Sequence, residues 1–204
     1  MFYQLTPLES RIKGLYEQFD IKYPEQIDMN LIANKLDIWI HYWDKESRMN
    51  CINGLYSIIL SNRKPNVEQW EDFCHELGHV IRHHGNQSKM FHSFKNLQET
   101  QASNFMYHFA VPTFMLLDLK LHESMHLKDC VKFVSETFNV TYEFARVRLN
   151  HFKNQWLLAK SDAEHRAIMA ARYPKAGPYM PETIDTLKQL ELILNKKKGA
   201  ANNA

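Results

Sequence analysis

His75-Glu76-Leu77-Gly78-His79 spell H-E-x-x-H, and the residues on either side read as a helix. Asn66 can cap it. Val67, Trp70, Phe73, Cys74, Leu77 and Ile81 then recur at helical spacing, leaving His75 and His79 at the margin of the apolar face. Arg82, His83 and His84 fall in the last turn, where Gly85 is a good stop. Histidines four apart lie one turn apart on one face, so both imidazoles can reach one metal ion. Glu76 beside them is placed to take a proton from an attacking water. Cys74 adjoins His75 but points about 100° away round the helix, which makes it a core residue rather than a ligand. Five residues can match by chance, so the meaning of the motif rests on what surrounds it.

Two imidazoles alone hold zinc poorly; a catalytic site has three protein ligands and an open position. The extension H-E-x-x-H-x-x-G-x-x-H fails, because Arg82 occupies its glycine position and Gly85 its third-histidine position. The other solution is a glutamate from a following helix. A loop from Asn86 to about Lys95 leads into such a helix, Asn96 to Ala110, closed by Pro112. Glu99 sits in its first turn, and Ala102, Phe105 and Phe109 form a stripe that would dock it on the motif helix. Glu123 and His92 are the competing third ligands. Tyr107 and His108 are candidates for stabilising an oxyanion, but packing is the commoner fate and neither is given that role.

Upstream, Thr6 and Glu9 form a capping box with Pro7 at the first helical position, followed by Leu8, Ile12, Leu15, Tyr16 and Phe19 at helical spacing. Asp28 can cap a second short helix. Ile38 to Trp43 reads as a strand, Asp44 to Asn50 as a turn, and Cys51 to Leu60 as one or two more strands with Gly54 at a bulge. Helical patterns dominate from Pro112 to Arg172, with a second capping box at Ser161 and Glu164. A proline-containing arm from Tyr173 to Pro181, a short helix and a disordered tail from Lys196 complete the chain.

Net charge is +2, which offers no broad basic face. Cys51, Cys74 and Cys130 are odd in number and form no C-x-x-C pair, which fits reduced thiols in the cytosol. There is no signal-peptide pattern and no membrane-length apolar run, so the expected location is cytoplasmic, with no membrane partner. Lys128 to Phe138, Asn139-Val140-Thr141 and Tyr142 to Phe152 resemble a helix-turn-helix. Arg146 and Arg148 are only two apart and diverge in direction, so packing onto the metal domain outweighs DNA binding, and direct nucleic-acid binding is not expected.

His75 to His79, followed by Glu99-Thr-Gln-Ala102-Ser-Asn104-Phe105 and Val111-Pro112, resembles the ImmA/IrrE family of zinc metallopeptidases. Phe73 and His84-Gly85 agree, and the likeness is strongest from Phe73 to Leu117, nearest to the ImmA anti-repressor proteases of prophages and integrative conjugative elements. The resemblance implies that His75, His79 and Glu99 bind zinc and that Glu76 is the catalytic base. It also implies a substrate, a helix-turn-helix repressor of a prophage or mobile element. Where the family has Asn or Asp four residues after the ligand glutamate, this chain has Ser103, a weaker partner for a ligand histidine.

The expected fold is α+β: a zincin-like metallopeptidase with a small twisted sheet, an H-E-x-x-H active-site helix and a mainly helical C-terminal half. Its expected divisions are a metallopeptidase domain (1–120), a helix-turn-helix-like region packed on it (121–172) and an arm, short helix and tail (173–204). The strand near Leu55 to Leu60 would hold an extended substrate by edge pairing. The competing readings are a non-catalytic regulator that sequesters the repressor or binds DNA with a structural zinc, and a broad-specificity peptidase.

Overall fold

Thr6 caps the first helix. Its hydroxyl accepts the Glu9 N–H, the Glu9 carboxylate takes the Thr6 N–H, and helix α1 (Pro7–Gln18) starts as the capping box requires. Asp28 likewise caps α2 (Met29–Lys35) by accepting the Leu31 N–H at 2.6 Å. This computed structural model describes residues 3–82, 92–119, 127–173 and 177–201. After α2 come strands β1 (Ile38–Trp43), β2 (Arg48–Ile52) and β3 (Leu55–Ser61), then helices α3 (Asn66–Arg82), α4 (His92–Ala110), α5 (Thr113–Asp118), α6 (Leu127–Phe138), α7 (Tyr142–Arg172) and α8 (Pro181–Ala201). The architecture is mixed α+β, a three-stranded sheet in a mostly helical chain. Two compact units, Met1–Lys160 and Ser161–Ala204, divide it.

The sheet order is β1-β3-β2, with β1 parallel and β2 antiparallel to β3. Alternation puts Ile38, Ile58 and Leu60 on the inner face, all buried, while Trp39 and Trp43 lie exposed on the other. Phe73 and Leu77 of α3, Phe105 and Phe109 of α4, and Ile12 and Tyr16 of α1 complete one core with that inner face. The Tyr16 hydroxyl is satisfied by donating to the Phe109 carbonyl at 2.8 Å.

Several expectations need correction. β3 is the central strand, so it has no free edge for a substrate, and Ile58 is core. Residues 48–50 are not a turn: Arg48, Met49 and Asn50 are held in β2 by pairing with Ile59, Ile58 and Ser57. Gly54 is not a bulge. Asn53 (φ 52°) and Gly54 (φ 83°) both have left-handed backbone and form the two-residue turn between β2 and β3. Asn66 is not the cap but the first residue of α3, with Gln69 N–H bonded to the Pro65 carbonyl. α4 starts four residues earlier than expected, at His92. Ser161 and Glu164 cap nothing, because they lie inside the unbroken α7; the preceding Leu157-Leu158-Ala159-Lys160 favours helix and supplies no break. The last helix is long, 21 residues, and continues past Lys196 to Ala201. His83, His84, Gly85 and Glu123 lie outside the described residues. Among the described residues no helix is long and apolar enough to cross a membrane.

Arg148, weighed above for DNA contact, is fully buried. It donates to the Val111 carbonyl (3.0 Å) and the Thr113 hydroxyl (2.7 Å), while Arg146 pairs with Glu143 on the surface. The Thr113 hydroxyl in turn donates a hydrogen bond to Glu9, which also accepts the Tyr3 hydroxyl at 2.8 Å. Glu9 and Arg148 are thus buried charges linked through one threonine, and they join α1, α5 and α7. His108 of α4 lies against this pair, its Nδ1 3.6 Å from Glu9 Oε1.

Burial and the Arg148 charge hold the His108 imidazole well below its usual range. Burial pushes Glu9 up, but donors from Thr113, Thr6 and Tyr3 outweigh it and hold the carboxyl low. As pH falls below about 6.5 the unfolded chain takes up a proton at residue 108 that the native state refuses, and at lower pH the same holds for residue 9. Both depressed values therefore give stability present at neutral pH and lost on acidification. Urea unfolding at pH 5 should show a lower midpoint than at pH 7.5, and His108→Gln should shrink that difference. An undiminished difference in the variant would remove His108 as its source.

Candidate metal centre

α3 places His75 and His79 one turn apart with their Nε2 atoms 3.2 Å from each other and their rings edge to face. Glu99, in α4, brings Oε2 to 3.2 Å from His75 Nε2 and 3.5 Å from His79 Nε2. The candidate ligand atoms of these three residues all lie within 4.8 Å of one another. Bonds of about 2.0–2.1 Å in a tetrahedron would separate donors by roughly 3.3 Å, so this spacing and the two-imidazole, one-carboxylate chemistry both fit zinc. The side chain of His79 is 4% exposed, that of His75 23% and that of Glu99 42%, so the cluster is closed on one side and open on the other.

Gly78 lets the two helices come this close. A Cβ at Gly78 would stand 3.2 Å from the Cα and carbonyl oxygen of Ala102 and from Phe105 Cδ1. Both neighbours are fully buried, so neither has room to yield. The glycine inside the motif and the alanine of the docking stripe therefore make one contact, and Glu99 sits one turn before Ala102 on the same helix.

Glu76 faces away from the core toward the sheet, where its Oε2 accepts the Met49 N–H at 2.8 Å. Burial pushes its carboxyl up to about 7; the Met49 amide opposes the shift, and the negative charges of Glu99 and Asp72 add to it. One turn earlier on α3, Asp72 accepts the Ser47 hydroxyl and pairs with Lys64 Nζ at 2.8 and 2.9 Å. Met49, Ser47 and Asp72 were not singled out from sequence. The available signal was Asp72 four residues before Glu76, hence on the same side of the helix.

The other candidates fall away from the cluster. His92 is exposed in the first turn of α4, with Nδ1 3.3 Å from Asn96 Nδ2. Cys74 is fully buried in the core, as expected. His108 faces Glu9, and Tyr107 packs on Phe144 with ring centroids 4.6 Å apart. Among the described residues no hydrogen bond joins the Ser103 hydroxyl to His75 or His79.

Paired histidines on one helix, a carboxylate from the next and a glutamate turned toward a flanking strand have the layout of a metallopeptidase-type site. The Peptidase_M78 family model, the IrrE N-terminal-like domain, matches residues 29–150, and the chain belongs to that family. It is 46% identical over 151 residues to the phage-like element PBSX protein XkdA of Bacillus subtilis (strain 168), covering 74% of this chain and 75% of that protein. It is 36% identical over 151 residues to the uncharacterized protein YqaB of the same organism, covering 74% of this chain and 86% of that one. Among solved structures it is similar to a Mycobacterium tuberculosis transcriptional regulator at TM-score 0.50 and 10% identity. That match takes in 69% of this chain but only 46% of the regulator, and it speaks to fold alone. The family resemblance read from sequence is borne out.

Because the Gly78 contact sets how far α4 stands from α3, adding one methyl should move Glu99. Gly78→Ala is expected to destabilise the fold by about 1–3 kcal/mol through overpacking. It should also weaken zinc binding, measured by chelator competition, about tenfold or more. Wild-type affinity in that variant would show that the close approach does not set the donor geometry.

Proposed function

We propose that the protein is a zinc-dependent, zincin-like endopeptidase that cleaves a helix-turn-helix repressor of a prophage or mobile element and so derepresses its genes. The observation that carries the reading is the convergence of His75, His79 and Glu99 at tetrahedral donor spacing with Glu76 alongside. The name of XkdA, a phage-like element protein, favours a mobile-element setting. In this reading residues 1–120 are the peptidase domain, residues 121–172 a helical region packed on it, and residues 173–204 an appended arm. The setting is cytoplasmic, with a protein rather than nucleic acid as partner.

His75, His79 and Glu99 would hold the zinc. When bound, the ion supplies Lewis acidity that polarises a scissile carbonyl and acidifies water. Glu76 is the base: its carboxylate accepts the proton of the attacking water and delivers it to the leaving amine. Substrate is held by edge pairing, but on β2 rather than β3, since β2 is the edge strand that borders Glu76.

Incubating the zinc-loaded chain with the repressor encoded by the same element should give discrete fragments, and chelation should stop cleavage. Glu76→Gln is expected to keep the fold and the zinc yet slow cleavage by about 10²–10⁴-fold. His79→Ala should lose the metal. If Glu76→Gln still inactivates the repressor, sequestration replaces proteolysis as the function.

A further inference from the structure

The two-residue turn at Asn53-Gly54 decides which groups of β2 face outward. In a turn of this type the flanking residues, Ile52 and Leu55, bond to each other across the hairpin. Antiparallel pairs alternate between bonded and non-bonded, so Ile52, Asn50 and Arg48 spend their N–H and C=O groups on β3. Cys51 and Met49 turn theirs to the outer edge, which pairs with no strand among the described residues. The contact from Met49 N–H to Glu76 agrees independently, since only an outward amide can reach α3.

The strand is also locked in register along α3. Ser47 accepts the Ser61 N–H at 3.0 Å and donates to Asp72, and two residues on, Met49 donates to Glu76. Two strand residues advance about 6.8 Å and four helical residues about 6.0 Å, so the two contacts fit one straight run of strand beside helix. The amide nearest the base is therefore already taken.

We propose that the free edge of β2 is divided between two tasks: the Met49 amide positions the Glu76 carboxylate, and the Met49 carbonyl with the Cys51 N–H and C=O pairs with an extended peptide substrate. Met49 is a positioning residue. The substrate ladder ends beside it, so pairing along Cys51 sets which peptide bond lies at Glu76. The inference rests on the endopeptidase reading, but its first half does not need activity.

Amide hydrogen exchange by NMR on the full chain tests that half. The Met49 amide should exchange at least about tenfold more slowly than that of Cys51, and Glu76→Ala should abolish the difference. Equal rates in the wild type would overturn the proposal. Proline is tolerated where an edge-strand N–H points outward, so Met49→Pro and Cys51→Pro each delete one amide. With a cleaved repressor as substrate, Met49→Pro should lower kcat at least about tenfold with KM unchanged, and Cys51→Pro should raise KM with kcat unchanged. Zinc affinity should stay within about twofold in both. Should Met49→Pro not fold, Ser47→Ala loosens the same register and should speed Met49 exchange while lowering kcat. A rise in KM alone on removing the Met49 amide would assign it to substrate and overturn the division. A wild-type chain that binds zinc but cleaves no repressor sinks the endopeptidase reading and the substrate half with it, while the exchange comparison still decides the contact to Glu76.

Discussion

The close contact between Gly78 and Ala102 constrains everything built around the three donors. Helices usually pack 8–10 Å apart, held off by the side chains between them. At this crossing one partner has no side chain and the other has a methyl, and the separation falls to backbone contact. The same approach brings the Glu99 carboxylate to both imidazoles of α3. A residue often read as filler inside H-E-x-x-H is here what brings the third donor into range.

Holding α4 there takes a second set of forces. Phe105 and Phe109 stack at 5.2 Å between ring centroids and fill the core behind the contact. Beyond them Glu9, Thr113 and Arg148 form a buried polar link from α1 through α5 to α7, with His108 of α4 against it. Isolated, either charge would cost several kcal/mol; together and hydrogen-bonded they offset much of that and fix one arrangement of four helices. Arg148 is thus a structural residue, and the helix-turn-helix likeness of α6 and α7 has its arginine turned inward.

Local chemistry was legible. The Thr6 box, the Asp28 cap, the β1 bounds and the helix carrying His75 and His79 follow from neighbours within one or two turns. Glu99 was legible because a small-and-aromatic stripe three residues later announced a buried face. The errors came where distant pairing overrides local preference. Arg48 and Asn50 are polar and closed a turn-like stretch, yet β3 recruits them as a strand. Ser161 and Glu164 match a capping box, yet no helix begins there. Glu9 read only as a capping-box residue, and the donors that make its burial tolerable, Tyr3 and the distant Thr113, lie outside that box. Met49 was invisible because its contribution is a backbone amide, which no side-chain pattern reports.

α3 uses each of its sides for a different partner, and the 3.6-residue period keeps them apart. Phe73 and Leu77 enter the core, His75 and His79 meet Glu99, Asp72 and Glu76 meet the entry to β2, and Glu71 accepts the Thr141 N–H at 2.6 Å ahead of α7. On the endopeptidase reading, a helix tied on every side would hold its donors and Glu76 in place before anything binds, which would lower the reorganisation needed during reaction. Discrimination among substrates would then come from elements beside the helix. β2 is the nearest, because its inner edge is spent on β3 and its outer edge runs along the acids of α3. On that reading the helix would dictate the chemistry, and the strand beside it would set where that chemistry falls.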